Sequence, residues 1–281
     1  MKLSTSLRDF KKNHKAKINQ AICFSQKCKN YIFVENIYKF VLTKKNSFIF
    51  ESVEKGKIRG RYTIIGYNPD KTYNITKNQI IENNFARKKI IKKNVLKYLN
   101  EIVKTFKVKT PTGVPRMSSM LVGYFSYDII RLIEKIPNKC KNDIKIPDIR
   151  LIRPRNLIIY DNIKRKIFFI ENLFKEEIIK DYDLKYNVIK NKFKELQHFG
   201  KIKLPDNFHK NKKKINIKSN ISKSKFKQIV LKAKNYIKQG DIFQVVLSQR
   251  FEASIEKPPL EIYNSLRLLN PSPFMFYFNF E

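Results

Sequence analysis

Strand-like strings rich in aromatic and β-branched residues recur along this chain, and they constrain its fold more than any other feature. Ser47-Phe-Ile-Phe-Glu-Ser52 and Arg61-Tyr-Thr-Ile-Ile65 read as short strands. Gly56, Gly60 and Gly66-Tyr-Asn-Pro69 supply turns between and after them. Met120-Leu-Val-Gly-Tyr-Phe125 reads as a buried strand. Leu157-Ile-Ile-Tyr-Asp161 and Lys166-Ile-Phe-Phe-Ile170 face each other across Asn162 as a hairpin. Helical periodicity interrupts these strings. Over Lys92–Phe106, the apolar residues Val95, Leu96, Leu99, Ile102, Val103 and Phe106 follow helix spacing. Tyr127–Glu134 reads as a short helix ending near Pro137, and Glu176–Gln197 as a longer one. Ser222 is placed to cap a helix whose face is Phe226, Ile229, Val230, Ala233 and Ile237, with Gly240 at its C-terminal cap. A strand over Ile242–Phe251, a helix over Leu260–Leu269 and a strand over Phe274–Phe280 complete the pattern.

The chain has 281 residues, 42% of them hydrophobic. A folded chain of this length buries roughly 75% of the surface that its unfolded form exposes, so wholesale disorder is excluded. Only 7 Gly and 11 Pro exclude collagen-like and linker-like classes. No apolar run approaches the ~18 residues of a membrane-spanning helix. The three cysteines, Cys23, Cys28 and Cys140, do not make a disulfide framework and point to a reducing compartment. A net charge of +36 would suit a polyanion partner. However, 48 Lys stand against 12 Arg, the residue suited to bidentate phosphate contacts. The lysines are also spread among Ile and Asn, so the charge reads as solvated surface without specific nucleic-acid binding. The densest patch, Lys210-Asn-Lys-Lys-Lys214, reads as a charged loop.

Residues 1–25 are basic and mostly polar, without the apolar core of a secretory signal; they read as a loose extension. Residues 26–200 form the next segment, 201–220 a Lys/Asn-rich linker holding the main boundary, and 221–281 the start of a further domain. Glu281 directly follows a strongly apolar strand with no partner strand after it. An unpaired hydrophobic strand is an aggregation hazard, so the expectation is a truncated chain.

Phosphate-loop signatures are absent. His14, His198 and His209 lie in polar, lysine-bearing stretches, and Cys23 and Cys28 have no matching downstream pair, so neither zinc binding nor Cys/His catalysis is expected. Longer strings carry more. They are Phe50-Glu-Ser-Val53 with Gly60-Arg-Tyr-Thr-Ile-Ile-Gly66, then Gly123-Tyr-Phe-Ser-Tyr-Asp128, then Pro147-Asp-Ile-Arg150 leading to Tyr160-Asp-Asn162. Ala233–Phe251, with Gln239-Gly-Asp-Ile-Phe-Gln-Val-Val-Leu-Ser-Gln-Arg250 inside it, comes next, and Leu269-Asn-Pro-Ser-Pro-Phe-Met-Phe-Tyr277 follows. In content and order these strings resemble the large subunit of anthranilate synthase, component I, over Phe33 to Phe280.

The resemblance implies an α+β fold of mostly antiparallel sheets with flanking helices, in which 26–200 is the N-terminal domain and 221–281 begins the chorismate-binding domain. It also implies a cytoplasmic lyase that converts chorismate to anthranilate and pyruvate in the first step of tryptophan biosynthesis. The family requires Mg2+, takes ammonia from a glutamine amidotransferase subunit (component II), and is feedback-inhibited by L-tryptophan. The family's Leu-Leu-Glu-Ser motif matches Ile49-Phe-Glu-Ser52, and its Asn-Pro-Ser-Pro-Tyr-Met motif matches Asn270–Met275. By resemblance Ser52, Pro273, Phe274 and Met275 contact tryptophan, with weaker roles for Glu51 and Asn270. Phe50 and Phe274 replace the family's Leu and Tyr. The Mg2+-binding glutamates and the catalytic residues are expected beyond Glu281, which leaves this chain the regulatory half, inactive alone. The alternatives are aminodeoxychorismate synthase component I and, more distantly, a basic nucleic-acid-binding protein.

Overall fold

In the computed structural model of the chain, which describes residues 2–54, 58–84, 87–138, 142–202 and 215–280, two long antiparallel strands form the spine of a ten-stranded sheet. In chain order the elements are β1 (Lys2–Leu3), α1 (Leu7–Lys15), β2 (Gln20–Lys27), α2 (Tyr31–Val41), β3 (Ser47–Glu54) and β4 (Ile58–Thr76). Then come β5 (Gln79–Asn84), β6 (Lys88–Ile91), α3 (Val95–Thr105), β7 (Val122–Phe125), β8 (Ile149–Asp161), β9 (Lys166–Leu173) and α4 (Tyr182–Lys201). Finally there are β10 (Ile217–Ser219), α5 (Lys223–Lys238), β11 (Phe251–Ala253), α6 (Pro259–Leu269) and β12 (Met275–Asn279). The expected turn at Gly56, Cys140 and the Lys210–Lys214 patch lie outside the described residues.

The spine is β4 against β8. On its far side, one half of β4 pairs with β3 and the other with β5. Likewise β8 pairs with β9 along one half and β7 along the other. The path runs β1-β2-β9-β8-β4-β3-β12, and every strand pairing along it is antiparallel. Gly66–Pro69, read as a turn, instead continues β4. The partner strand carries the chain straight through, with a register shift between Pro69 and Lys71 where Pro69 faces Pro154, two residues that cannot donate to the ladder.

Alternation divides the sheet's faces. Cys23, Phe48, Leu157, Ile159, Phe168 and Ile170 form a buried cluster on one face, where Phe50, Tyr62, Ile64, Phe278 and Phe280 are only partly covered. The intervening residues, among them Phe24 and Phe169, point to the opposite face, where both rings meet Phe193 of α4. A second cluster joins Tyr73, Ile75 and Ile149 to Val95 and Tyr98 of α3.

Four further expectations need correction. Residues 1–25 are not a loose extension. The Ser6 hydroxyl caps α1 by accepting from the Asp9 amide, Phe10 is buried against Tyr182 and Tyr186, and β2 is hydrogen-bonded to β9 along its whole length. The last strand is not unpaired, because β12 runs antiparallel to β3 from Met275 opposite Glu51 to Asn279 opposite Ser47. Ile242–Phe251 forms a strand only from Phe251, where β11 meets β10. The helix expected from Glu176 begins at Tyr182, because the Asp181 carboxylate accepts from the Leu184 amide and sets the start there.

The chain divides into two compact units, one of residues 1–204 with 263–281 and one of residues 205–262. The first holds the ten-stranded sheet; the second holds α5 and the β10–β11 pair. Among the described residues, no helix is long and apolar enough to cross a membrane.

Candidate functional site

Strand pairing gathers most of the singled-out strings at one end of the large sheet. β3 lies between β4 and β12, so Phe50-Glu-Ser-Val53 is flanked by Gly60-Arg-Tyr-Thr on one side and Met275-Phe-Tyr on the other. The β8–β9 turn adjoins from the far side of β4, with Tyr62 opposite Asp161. There the Asn162 side chain donates to the Gly60 carbonyl (2.8 Å) and the Asn162 amide to the Arg61 carbonyl (2.7 Å). Arg61 pairs with Asp161 at 3.3 Å and stacks on Tyr62.

Ser52 sits where the β3–β4 register breaks, between Glu51 opposite Thr63 and Val53 opposite Arg59. The break brings the Gly60 backbone against the Ser52 side chain. A Cβ at Gly60 would lie 2.3 Å from both the Cβ and Oγ of Ser52, so only glycine fits there.

The site residues expected from the sequence fall into two environments. Glu51 and Met275 face each other in the ladder and are both buried, at 4% and 7% exposure. Ser52 is half-buried, and Pro273 and Asn270 are exposed. Phe274, the next residue past the last β3–β12 pair, is 89% exposed. The arrangement therefore brings Ser52, Phe274 and Met275 to one strand end while leaving Asn270 at the exposed C-terminus of α6.

Glu51 is the most heavily hydrogen-bonded of the set. Tyr31 of α2 donates to its Oε1 at 2.8 Å, and Tyr263 of α6 donates to its Oε2 at 2.7 Å. Arg267 Nη1 lies 3.3 and 3.4 Å from the two carboxylate oxygens, while its Nη2 reaches Glu35 at 3.3 Å. Burial, then the neighbouring Glu51 carboxylate, pushes the Tyr263 phenol well above its usual range, so it stays protonated and donating. The sequence reading missed Tyr263 and Arg267. Their signal was present: they stand four apart on α6, as Tyr31 and Glu35 do on α2, so each pair shares a helix face.

The other strings lie elsewhere. Gly123–Asp128 and Pro147–Arg150 meet at the β7–β8 pair, where the Ser126 amide donates to the Asp148 carbonyl at 2.7 Å and the Tyr124 hydroxyl to the Pro147 carbonyl at 3.2 Å. The Gln239–Arg250 string belongs to the second unit. Cys23 and Cys28 are free and buried. Among the described residues, no group of three His, Cys, Asp or Glu side chains is arranged to hold a metal ion. The described residues therefore do not build a Mg2+ site.

Residues 45–281 match the family model described as chorismate binding enzyme. Anthranilate synthase component 1 of Acetivibrio thermocellus is 38% identical over 83% of this chain and 48% of its own length. The protein of the same name from Aquifex aeolicus is 36% identical over 85% of this chain and 49% of its own. The crystal structure of anthranilate synthase component I from Streptococcus pneumoniae TIGR4 superposes with a TM-score of 0.61 at 27% identity, covering 76% of this chain and 46% of that one. The α+β architecture expected from the sequence is thus shared with a solved relative, and the chain spans about half the length of the curated relatives that it matches. A family match over residues 45–281 takes in both flanks of the β3–β12 site, and the chain belongs to the chorismate binding enzymes.

Proposed function

We propose that this chain is part of an anthranilate synthase component I and carries its effector-sensing region. The observation that carries the reading is the β3–β12 pair, which joins the two strings matching the tryptophan motifs, with Met275 directly opposite Glu51 and Ser52 and Phe274 one step beyond. Relatives named anthranilate synthase component 1 support the same assignment over aminodeoxychorismate synthase component I.

The reaction converts chorismate and ammonia to anthranilate, pyruvate and water, in the first step of tryptophan biosynthesis in the cytoplasm. An amidotransferase subunit, component II, supplies the ammonia from glutamine, and Mg2+ is held by residues other than those described here. L-tryptophan binds at the end of β3 and β12. The Ser52 hydroxyl hydrogen-bonds its charged amino-acid end, and Pro273, Phe274 and Met275 supply apolar surface for the indole.

The test is product identity. The complete gene product is incubated with chorismate, Mg2+ and ammonia, and the products are separated by chromatography. Anthranilate and pyruvate are expected. Aminodeoxychorismate as the product, or no consumption of chorismate, would refute the assignment.

A further inference from the structure

The Glu51 carboxylate is fully engaged by the protein's own donors, and this bears on its role in effector binding. Two phenols and one guanidinium converge on it from two helices, and all three contacts lie in a region with little solvent. A buried carboxylate with donors on both oxygens is held in place by charge-assisted bonds, which are about twice as strong as neutral ones. Releasing it to bind a ligand would leave Tyr263 and Arg267 buried opposite an absent charge, which is costly. Tyr31 also lies 3.3 Å from the Thr63 hydroxyl, so the cluster reaches β4 as well as β3. Arg267 extends it to Glu35 on α2.

We propose that Glu51 is a positioning residue and not a tryptophan ligand. Tyr263 and Arg267 of α6 lock the Glu51 carboxylate and thereby fix the β3 backbone that presents Ser52 opposite the start of β12. Arg267 is the joint of this clamp, because it binds carboxylates on β3 and α2 with its two terminal nitrogens. The inference deepens the effector-site reading above and rests on it. Its distinguishing consequence is coupling: substitutions at Glu51 and Arg267 break one shared link, so their effects on inhibition are non-additive.

The experiment is L-tryptophan titration of chorismate turnover by the complete gene product, with Ser52→Ala, Glu51→Gln, Arg267→Met, the Glu51→Gln/Arg267→Met double variant and Tyr263→Phe. Each clamp variant is expected to raise the half-inhibitory concentration by about tenfold, the effect of losing one interaction of ordinary strength. The double variant should match the larger single effect and fall short of the product of the two. Tyr263→Phe removes only a hydroxyl and keeps the test decisive if the other variants do not fold. If Ser52→Ala weakens inhibition and neither Arg267→Met nor Tyr263→Phe does, the clamp is refuted and the effector site stands. Independent, multiplicative effects of Glu51→Gln and Arg267→Met would also refute it. If Ser52→Ala leaves inhibition unchanged, the effector site falls, and the clamp falls with it.

Discussion

Two stretches with comparable apolar strings end in opposite environments. In the large sheet unit, Leu157, Ile159, Phe168 and Ile170 are buried together. In the unit spanning 205–262, Phe243 is 100% exposed, Val246 is largely exposed, and Ala233 is the one buried hydrophobic among the described residues. The difference lies in what each element needs from its neighbours. A helix satisfies its own backbone, so α5 forms from local signals alone: the Ser222 hydroxyl accepts from the Lys225 amide, and Gly240 takes a φ of 80° just past the C-terminus. A strand must find a partner to satisfy its N–H and C=O groups. Leu157–Asp161 has strands on both sides, whereas over Ile242–Arg250 no strand forms.

The sharpest way to break this contrast is through activity. If the uncovered unit and the sheet edge at β12 need further polypeptide before they can work on chorismate, residues 1–281 alone should yield no anthranilate with chorismate, Mg2+ and ammonia. The complete gene product should yield it readily. Turnover above a buffer blank by the isolated segment would show that the two units already suffice.

Stability should separate the units next. Phe169→Ala removes a fully buried ring packed on Phe193 and is expected to cost about 3–5 kcal/mol in a denaturant melt. Phe243→Ala should change stability by no more than about 0.5 kcal/mol, as exposed substitutions do. Similar losses at both positions would mean that Phe243 is covered in solution. A smaller effect is expected at the cap of α5. Ser222→Ala should destabilise that helix by about 1 kcal/mol, read as faster amide exchange over Lys223–Lys238 with β8 and β9 unaffected. Faster exchange in the sheet as well would show that the units are energetically joined.

A further effect concerns pH and only the first unit. Burial raises the Cys23 thiol from its ordinary value of 9.0 to about 12, with Lys166 and Ser4 opposing the shift only partly. A thiol kept neutral by folding stabilises the fold fully below the unfolded value near 9. That contribution is lost as pH rises from there toward 12. Wild type should therefore lose more stability between pH 8 and pH 10.5 than Cys23→Ala does. Parallel losses in the two proteins would show that Cys23 ionises as freely in the folded state as in the unfolded one.

What the sequence reveals follows the same division between local and long-range order. The periodicity of Val95, Leu99 and Ile102 marks α3 to within a few residues, and Asn162 marks the β8–β9 hairpin, because both signals are local. The resemblance of Ile49–Ser52 and Asn270–Met275 to family motifs singles out both strands of the candidate site, yet their pairing is separated by more than two hundred residues and appears only in the fold. Residues 1–25 look polar because α1 is exposed on most sides and buries only Phe10 and Asn13. Glu51 reads from sequence as a weak ligand, because a buried carboxylate cannot be told from an exposed one until Tyr31, Tyr263 and Arg267 are placed around it.

The central claim is that the end of β3 and β12 binds an amino-acid effector through Ser52. Hydrogen bonds to a charged group contribute about 1.5–3 kcal/mol, and each 1.4 kcal/mol is about tenfold in affinity. The direct measurement is tryptophan inhibition of the complete gene product at fixed chorismate, wild type against Ser52→Ala. The account predicts a half-inhibitory concentration raised roughly 10- to 150-fold, with uninhibited turnover within about a factor of two, as the proposed separation of the effector site from the substrate site requires. An unchanged half-inhibitory concentration would contradict it and leave Ser52 as a strand residue packed on Gly60.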